Sequence, residues 1–262
     1  MAVLVAPLRG EVAALKDTLA PLREEVATLK DTLAASERQT APLRQRVTTL
    51  EAAAATAAAE AERNRVLHER LLFAAARSGD TGGVLALLQH TSLPVDFVAF
   101  PTAATLLFIA SQNGHEGVVE ALLRKGAEVN KVWNDRGTAL YIASEHGHLG
   151  VVEALLDKGA YVDHADTDGA TPLLNAAYHG HVGVVEALLR KGAEVDKADT
   201  DGATALYIAV QQGHVGVLEA LLGAGAELDK VCTLNGETAL RAASRIGHLA
   251  VVEILTRHAS GN

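Results

Sequence analysis

Cysteine is nearly absent: of 262 residues only Cys232 is one, so no internal disulfide can form and nothing asks for an oxidising compartment. Aromatic residues make up 3%, and the apolar half of the composition is mostly Ala, Val and Leu, as in a helix-rich soluble protein. No apolar run approaches the roughly 18 residues that a membrane-spanning helix needs. The opening MAVLVAPLRG has a five-residue apolar run with no basic residue before it, a poor signal peptide. These absences together predict an intracellular, cytoplasmic protein.

Positive charge is also short, and unevenly so. Residues 1–66 hold 9 Lys+Arg and 9 Asp+Glu, which cancel. Residues 67–262 therefore hold 23 − 9 = 14 basic and 32 − 9 = 23 acidic residues, the whole formal charge of −9. An acidic domain repels phosphates, so nucleic acid is excluded as a partner and a basic or neutral protein surface is expected. The glycine-rich GDTGG at 79–83 lacks the lysine of a phosphate-cradling loop. Eleven histidines, including His146-Gly147-His148 and His179-Gly180-His181, raise the question of a metal. The second histidine of each group belongs to a repeated turn, and a zinc site needs three or four converging ligands. No nucleophile stands beside a base and an orienting acid in a recognisable motif, and Cys232 has neutral neighbours in Val231, Thr233 and Leu234. The reading is a non-enzyme without cofactor or metal.

What is present is repetition. Gly-His recurs at 114, 147, 180, 213 and 247, at steps of 33, 33, 33 and 34, and a Leu-Leu pair follows at 122, 155, 188 and 221. A fixed period of this length signals a stacked-repeat architecture. In TALYIASEHGHLGVVEALLDKGAYVD, residues 138–163, Leu140, Ala143 and Ser144 line a short helix that ends at Gly147. Val151, Val152, Leu155 and Leu156 give a second helix its apolar stripe. Gly159 follows where a left-handed C-terminal cap belongs. Neither helix can bury its stripe alone, so neighbouring units must stack.

This unit resembles the ankyrin repeat. That family opens its first helix with Thr-Pro-Leu-His; here Thr171-Pro172-Leu173-Leu174 keeps three of the four, and the other copies read TLLF at 105, TALY at 138 and 204, and TALR at 238. Thr supplies an N-cap oxygen and Pro suits the first helical position. The missing His removes a side-chain partner for the Thr. About six units are expected: a cap-like first one near 67–99, four over roughly 100–232, and a last ending at VVEILTRHASGN. The predicted fold class is all-α, an ankyrin-repeat solenoid with short finger hairpins over 67–262, preceded by an amphipathic helical segment over 1–66.

The resemblance implies protein binding on the concave face. Copies agree where packing dictates the residue, as in GHVGVVEALL, and differ at the finger tips and first-helix ends. The finger VWNDRG at 132–137 carries the single tryptophan, Trp133, with Asn134 and Asp135. Exposed large aromatics often anchor partners; the alternative is that Trp133 folds against its own hairpin. The helix ends contribute Gln112, Asn113, Glu145, His146, Tyr178, His179, Gln211, Gln212 and Arg245, with Ile246 beside them. Tyr141 and Tyr207, in place of the motif His, either reach the groove or pack at its floor. Asn130 stands where other copies have Asp163, Asp196 and Asp229. In ankyrin proteins that Asn can be hydroxylated by a dedicated oxygenase; otherwise Asn and Asp both cap the finger turn.

The first 50 residues carry a different period. Leu8, Val12, Leu15, Leu19, Leu22, Val26, Leu29 and Leu33 alternate steps of four and three, and the frame resumes at Leu43, Val47 and Leu50, the seam of a coiled coil. With Val12, Leu19, Val26 and Leu33 at a, the pairs Glu11 with Lys16, Glu25 with Lys30 and Arg46 with Glu51 are opposite-sign g-to-e pairs. They favour a parallel homo-oligomer through residues 1–50. Pro7, Pro21 and Pro42 all fall on the outward c position, so a kinked or segmented coil is expected, each phrase a short helix begun by its own proline. An alternative is a membrane-surface tether, since PLREEV and PLRQRV resemble the lipid-binding repeats of exchangeable apolipoproteins, although those use longer units and apolar-face aromatics. A third is a helical hairpin packed on itself. From Leu43 to Ser78 there is neither Gly nor Pro, so a helix can run from the coil into the first repeat.

Overall fold

The computed structural model describes residues 18–32, 40–91, 93–98, 104–133 and 137–260. Leu8, Val12, Leu15, Leu33, Asn134 and Asp135 lie outside the described residues, as do Pro7, Glu11 and Lys16. The chain packs as two compact units, one formed by Met1–Ala74 with Gly82–Leu93 and the other by Ala75–Thr81 with Pro94–Asn262.

Helix α1 covers 18–32, α2 runs over Thr40–Ser78 and α3 over Thr81–His90; the first unit holds α1, α2 as far as Ala74 and α3 from Gly82. Pro42 is the third residue of α2, in the first turn, where a missing N–H leaves no intrahelical bond unmade. The helix thus begins two residues before Pro42, whereas Pro21 lies inside α1 behind helical residues 18–20. Beyond Pro42 α2 continues unbroken to Ser78, just before Gly79, whose φ is +76°. Leu19, Leu22, Val26 and Leu29 on α1, and Leu43, Val47 and Leu50 on α2, are each half-buried, while their neighbours are exposed. The flanking charges differ from expectation. Glu25 pairs with Arg46 at 3.2 Å and Lys30 with Glu51 at 2.7 Å, all within one chain. The four charges that the heptad frame pairs between chains, Glu25 with Lys30 and Arg46 with Glu51, are thus combined differently inside one chain, each with a residue 21 positions away.

The second unit is a stack of helix pairs: α4 (Leu106–Gln112) with α5 (Glu116–Arg124), α6 (Ala139–Glu145) with α7 (Leu149–Asp157), α8 (Pro172–His179) with α9 (Val182–Arg190), α10 (Ala205–Gln212) with α11 (Val215–Gly223), and α12 (Ala239–Ile246) with α13 (Leu249–Ala259). First helices pack on first helices and second on second along the stack. Ala110, Ala143, Ala176, Ala209 and Ala242 are fully buried where first helices meet; a methyl group there lets the backbones come close. Val119, Val152, Leu155, Val185, Leu188, Leu218 and Leu221 form the buried stripe of the second helices. The fingers are short hairpins. One closes with two-residue strands β1 (Val231–Cys232) and β2 (Glu237–Thr238), antiparallel. The others close with single backbone bonds, Trp133 N to Gly137 O, Asp166 N to Ala170 O and Asp199 N to Ala203 O.

Each first helix is capped by its threonine despite the missing histidine. Thr105, Thr138, Thr171, Thr204 and Thr238 accept from the third helical amide. Replacing Thr171 with Val keeps the shape and removes the acceptor from Leu174 N, 3.3 Å away. The expected loss is about 1 kcal/mol, read as a lower urea midpoint at unchanged slope.

The second helices use a different device. Their N-cap residue is His115, His148, His181, His214 or His248, with no side-chain capping bond. The first four imidazoles reach back to the preceding unit instead. Nε2 of His115, His148, His181 and His214 lies 2.7–3.1 Å from the carbonyls of Arg77, Gln112, Glu145 and Tyr178. A carbonyl can only accept, so Nε2 carries the proton. Each ring also lies over the glycine at the end of the preceding unit's first helix, Gly79 of a Gly-Asp pair and Gly114, Gly147 and Gly180 of Gly-His pairs, where a Cβ would stand 2.5–2.8 Å from ring atoms. The recurrence of Gly-His is thus a lock between successive units.

Candidate interaction site

The first-helix ends predicted as contact positions occupy equivalent places in successive units. Gln112 closes α4, Glu145 closes α6, and Tyr178-His179 and Gln211-Gln212 close α8 and α10. Because α4, α6, α8, α10 and α12 pack in sequence, these ends form one row along the stack. Asn113, His146, Tyr178, His179, Gln211, Gln212 and Arg245 are exposed, whereas Gln112 and Glu145 are half-buried. Several are already engaged. Asn113 Nδ2 donates to Ile109 O at 2.8 Å, and Nδ1 of His146 and His179 bonds to Ile142 O and Asn175 O. Arg245 grips Glu237 through Nε and a terminal nitrogen at 3.1 Å.

Trp133 is half-buried, and its ring lies against Phe108 with centroids 4.6 Å apart and planes inclined at 42°. Phe108 sits in α4, so the tryptophan packs on the preceding repeat rather than standing free at a finger tip. The two motif tyrosines separate. Tyr207 is buried, and its hydroxyl accepts from Asn235 Nδ2 at 2.5 Å and Gln211 Nε2 at 3.3 Å. Tyr141 is half-buried and donates to Asp166 Oδ2 at 2.6 Å. Burial and the Asp166 carboxylate push its phenol up to about 12.

Trp133, Tyr141, Gln112, Glu145 and His146 converge on one cavity of about 580 Å³, completed by Phe108, Ile142, Asp166, Thr167 and Asp168. Sequence comparison missed the last five. Phe108 holds the repeat position of Tyr141 and Tyr207, a signal that was available. Asp166 and Asp168 belong to the finger ADTDGA, which recurs at 198–203 as ADTDGA; a search for varying positions passes over them. Tyr178, His179, Tyr207, Gln211, Gln212 and Arg245 are not part of this cavity.

The phenol shift has a titration consequence. Tyr141 folded holds its proton above the ordinary tyrosine value of about 10, so between pH 10 and 12 the folded state binds more protons than the unfolded one. The stabilising contribution is complete below pH 10 and is lost as pH rises through 12. Tyrosinate absorbance should show one of the four tyrosines ionising near pH 12, and that step should vanish in Tyr141→Phe.

Asn130 serves the finger turns as its Asp counterparts do. Its Oδ1 accepts from Tyr161 N at 2.8 Å and its Nδ2 donates to Gly159 O at 3.2 Å, while Asp163 and Asp196 accept from Glu194 N and Glu227 N. Cys232 is buried, its Sγ 3.3 Å from Asp201 O. Among the described residues no three or more His, Cys, Asp or Glu side chains are grouped to hold a metal ion, and no helix is long and apolar enough to cross a membrane.

Comparison with known proteins agrees with this architecture. No curated protein matches the chain. The family model described as ankyrin repeats (3 copies) matches residues 71–166, 107–199 and 159–231, and that described as ankyrin repeats (many copies) matches 213–256. These matches overlap into one span over most of the chain and coincide with the stacked, threonine-capped, Gly-His-locked helix pairs, and the chain belongs to the ankyrin repeat family.

Proposed function

We propose that this protein is a non-enzymatic scaffold or adaptor. It binds a protein partner on the concave ankyrin face and self-associates through its N-terminal segment, residues 1–50. Ankyrin repeats are as a rule protein-protein interaction modules. The observation that carries the reading here is the cavity where Trp133, Tyr141 and Glu145 meet, on the row of first-helix ends. Large aromatics beside polar groups in a partly enclosed recess are the usual anchors of a protein interface. The test is capture of interacting proteins from the native cell by cross-linking, with the full chain and with the Trp133→Ala, Tyr178→Ala variant as baits. Proteins retained by the first and lost from the second support the groove. An identical set from both removes it.

Self-association rests on the seam. Glu25 and Arg46 are both g positions, and Lys30 and Glu51 both e. Both pairs keep the same offset along the chain, 46 − 25 = 51 − 30 = 21, so α1 and α2 satisfy these charges within one chain. Such pairing of α1 with α2 leaves Leu22, Val26, Leu43, Val47 and Leu50 only half-buried, and a recess of about 500 Å³ lies beside Pro42, Arg46 and Leu50. A second copy covers that remaining flank, so each chain brings a pair of helices to the oligomer. Light scattering should give the full chain at least twice the monomer mass of 27.3 kDa, and Val26→Glu with Val47→Glu should return it to one. A wild-type chain of monomer mass removes the oligomer, and sedimentation of that monomer with anionic vesicles would favour the lipid-surface alternative.

A further inference from the structure

We infer that the cavity at Trp133 receives an arginine side chain presented by an extended segment of the partner protein; this rests on the scaffold reading above and names the chemistry of its partner.

Two kinds of group line the cavity. Phe108, Trp133 and Tyr141 supply aromatic surface, and Glu145, Asp166 and Asp168 supply three carboxylates. Among the described lining residues His146 is the only His, Lys or Arg, and its Nδ1 is held at Ile142 O. Among the described residues none of the ion pairs involves Glu145, Asp166 or Asp168.

The Asp166 carboxylate is held in place as well as charged. Oδ1 accepts from Asp168 N at 3.0 Å and Ala170 N at 2.8 Å, and Oδ2 accepts from the Tyr141 hydroxyl at 2.6 Å. The carboxylate is therefore fixed at the wall of a half-enclosed recess, where electrostatic attraction is stronger than in open water.

Three carboxylates around one recess repel one another until a cation enters. A cation there also meets the faces of aromatic rings, whose negative quadrupole attracts it. Arginine fits this combination better than lysine. Its guanidinium is planar, is weakly hydrated, stacks on rings and offers five donors, whereas an ammonium is strongly hydrated with three. The acidic balance of residues 67–262 steers a basic partner toward this part of the chain.

Trp133 is the only tryptophan in the chain, so its indole N–H gives a single nitrogen-edited NMR signal inside the cavity. The probes are the capped pentapeptide Gly-Ser-Arg-Ser-Gly, its lysine counterpart and its citrulline counterpart, which keeps the shape of arginine without the charge. Each is titrated into the full-length protein to millimolar concentration. The arginine peptide should shift the signal saturably, the lysine peptide should bind roughly threefold more weakly, and citrulline should leave it unmoved. Glu145→Gln with Asp168→Asn should weaken the arginine peptide roughly tenfold while the melting curve stays in place.

No response to the arginine peptide, an equal response to citrulline, or indifference to the double substitution would each overturn the assignment. A captured partner that is lost with Trp133→Ala but indifferent to Glu145→Gln with Asp168→Asn overturns the arginine pocket and leaves the scaffold reading intact. An arginine response with no partner captured by the native chain supports the pocket and counts against the scaffold reading alone.

Discussion

Leu155→Ala should destabilise the solenoid by about 2–5 kcal/mol. Leu155 is 0% exposed in α7, and α7 packs between α5 and α9 in the middle of the stack. Truncation removes three carbons from contact and leaves a cavity, and the walls are themselves repeats held in register by neighbours, so they collapse poorly into the space. The loss is large against the roughly 5–15 kcal/mol by which a domain is stable. Position adds to it. A stack coupled only through nearest neighbours is divided when a central unit weakens, so urea unfolding followed by circular dichroism should broaden or split as well as move. Leu249→Ala is the control, since Leu249 is 82% exposed on α13, and it should change the midpoint little. A Leu155→Ala loss below about 1 kcal/mol would mean that the second-helix stripe is not the core of the stack.

Gly147→Ala should cost more than a backbone effect alone. Gly147 has φ +73°, where a residue with a Cβ is strained by about 1–2 kcal/mol. The added methyl would also stand 2.5 Å from Nδ1 and 2.7 Å from Cε1 of His181, so the ring must move and its 3.0 Å bond to Glu145 O is lost. The expected total is about 2–4 kcal/mol. Gly159→Ala separates the two contributions, because Gly159 has φ +83° with nothing within 4 Å of its Cβ position; it should show the strain alone. The double variant Gly147→Ala, His181→Ala should be more stable than the sum of the two single losses predicts, because the collision disappears with the ring. Strict additivity would show that the ring does not lie over the glycine in solution.

The repeat itself was legible because it is written locally. Thr171, Pro172, Gly159 and the Val-Val and Leu-Leu pairs act within a few residues of their own position, and each is found in the role its chemistry implies. The row of first-helix ends was legible for the same reason, once the period was known. Trp133 was ambiguous because its neighbour, Phe108, lies 25 positions earlier in another repeat. The acidic wall was missed because Asp166 and Asp168 sit in a finger sequence that repeats, and variation between copies was the only guide to function.

The sequence by itself determined the period, the helix pairs, their caps and the acidic balance of the second part. Those follow from side-chain spacing and backbone preference over one or two turns. Only the tertiary structure decided what each histidine holds, since His148, His181 and His214 bond carbonyls 36 residues away. It alone paired Glu25 with Arg46 and Lys30 with Glu51 rather than with the neighbours their heptad letters suggested. It alone gathered Phe108, Trp133, Tyr141 and Asp166 around one cavity. Residues in different repeats meet at distances fixed by how far one unit is translated and turned against the next, and no pattern inside a single unit carries that quantity.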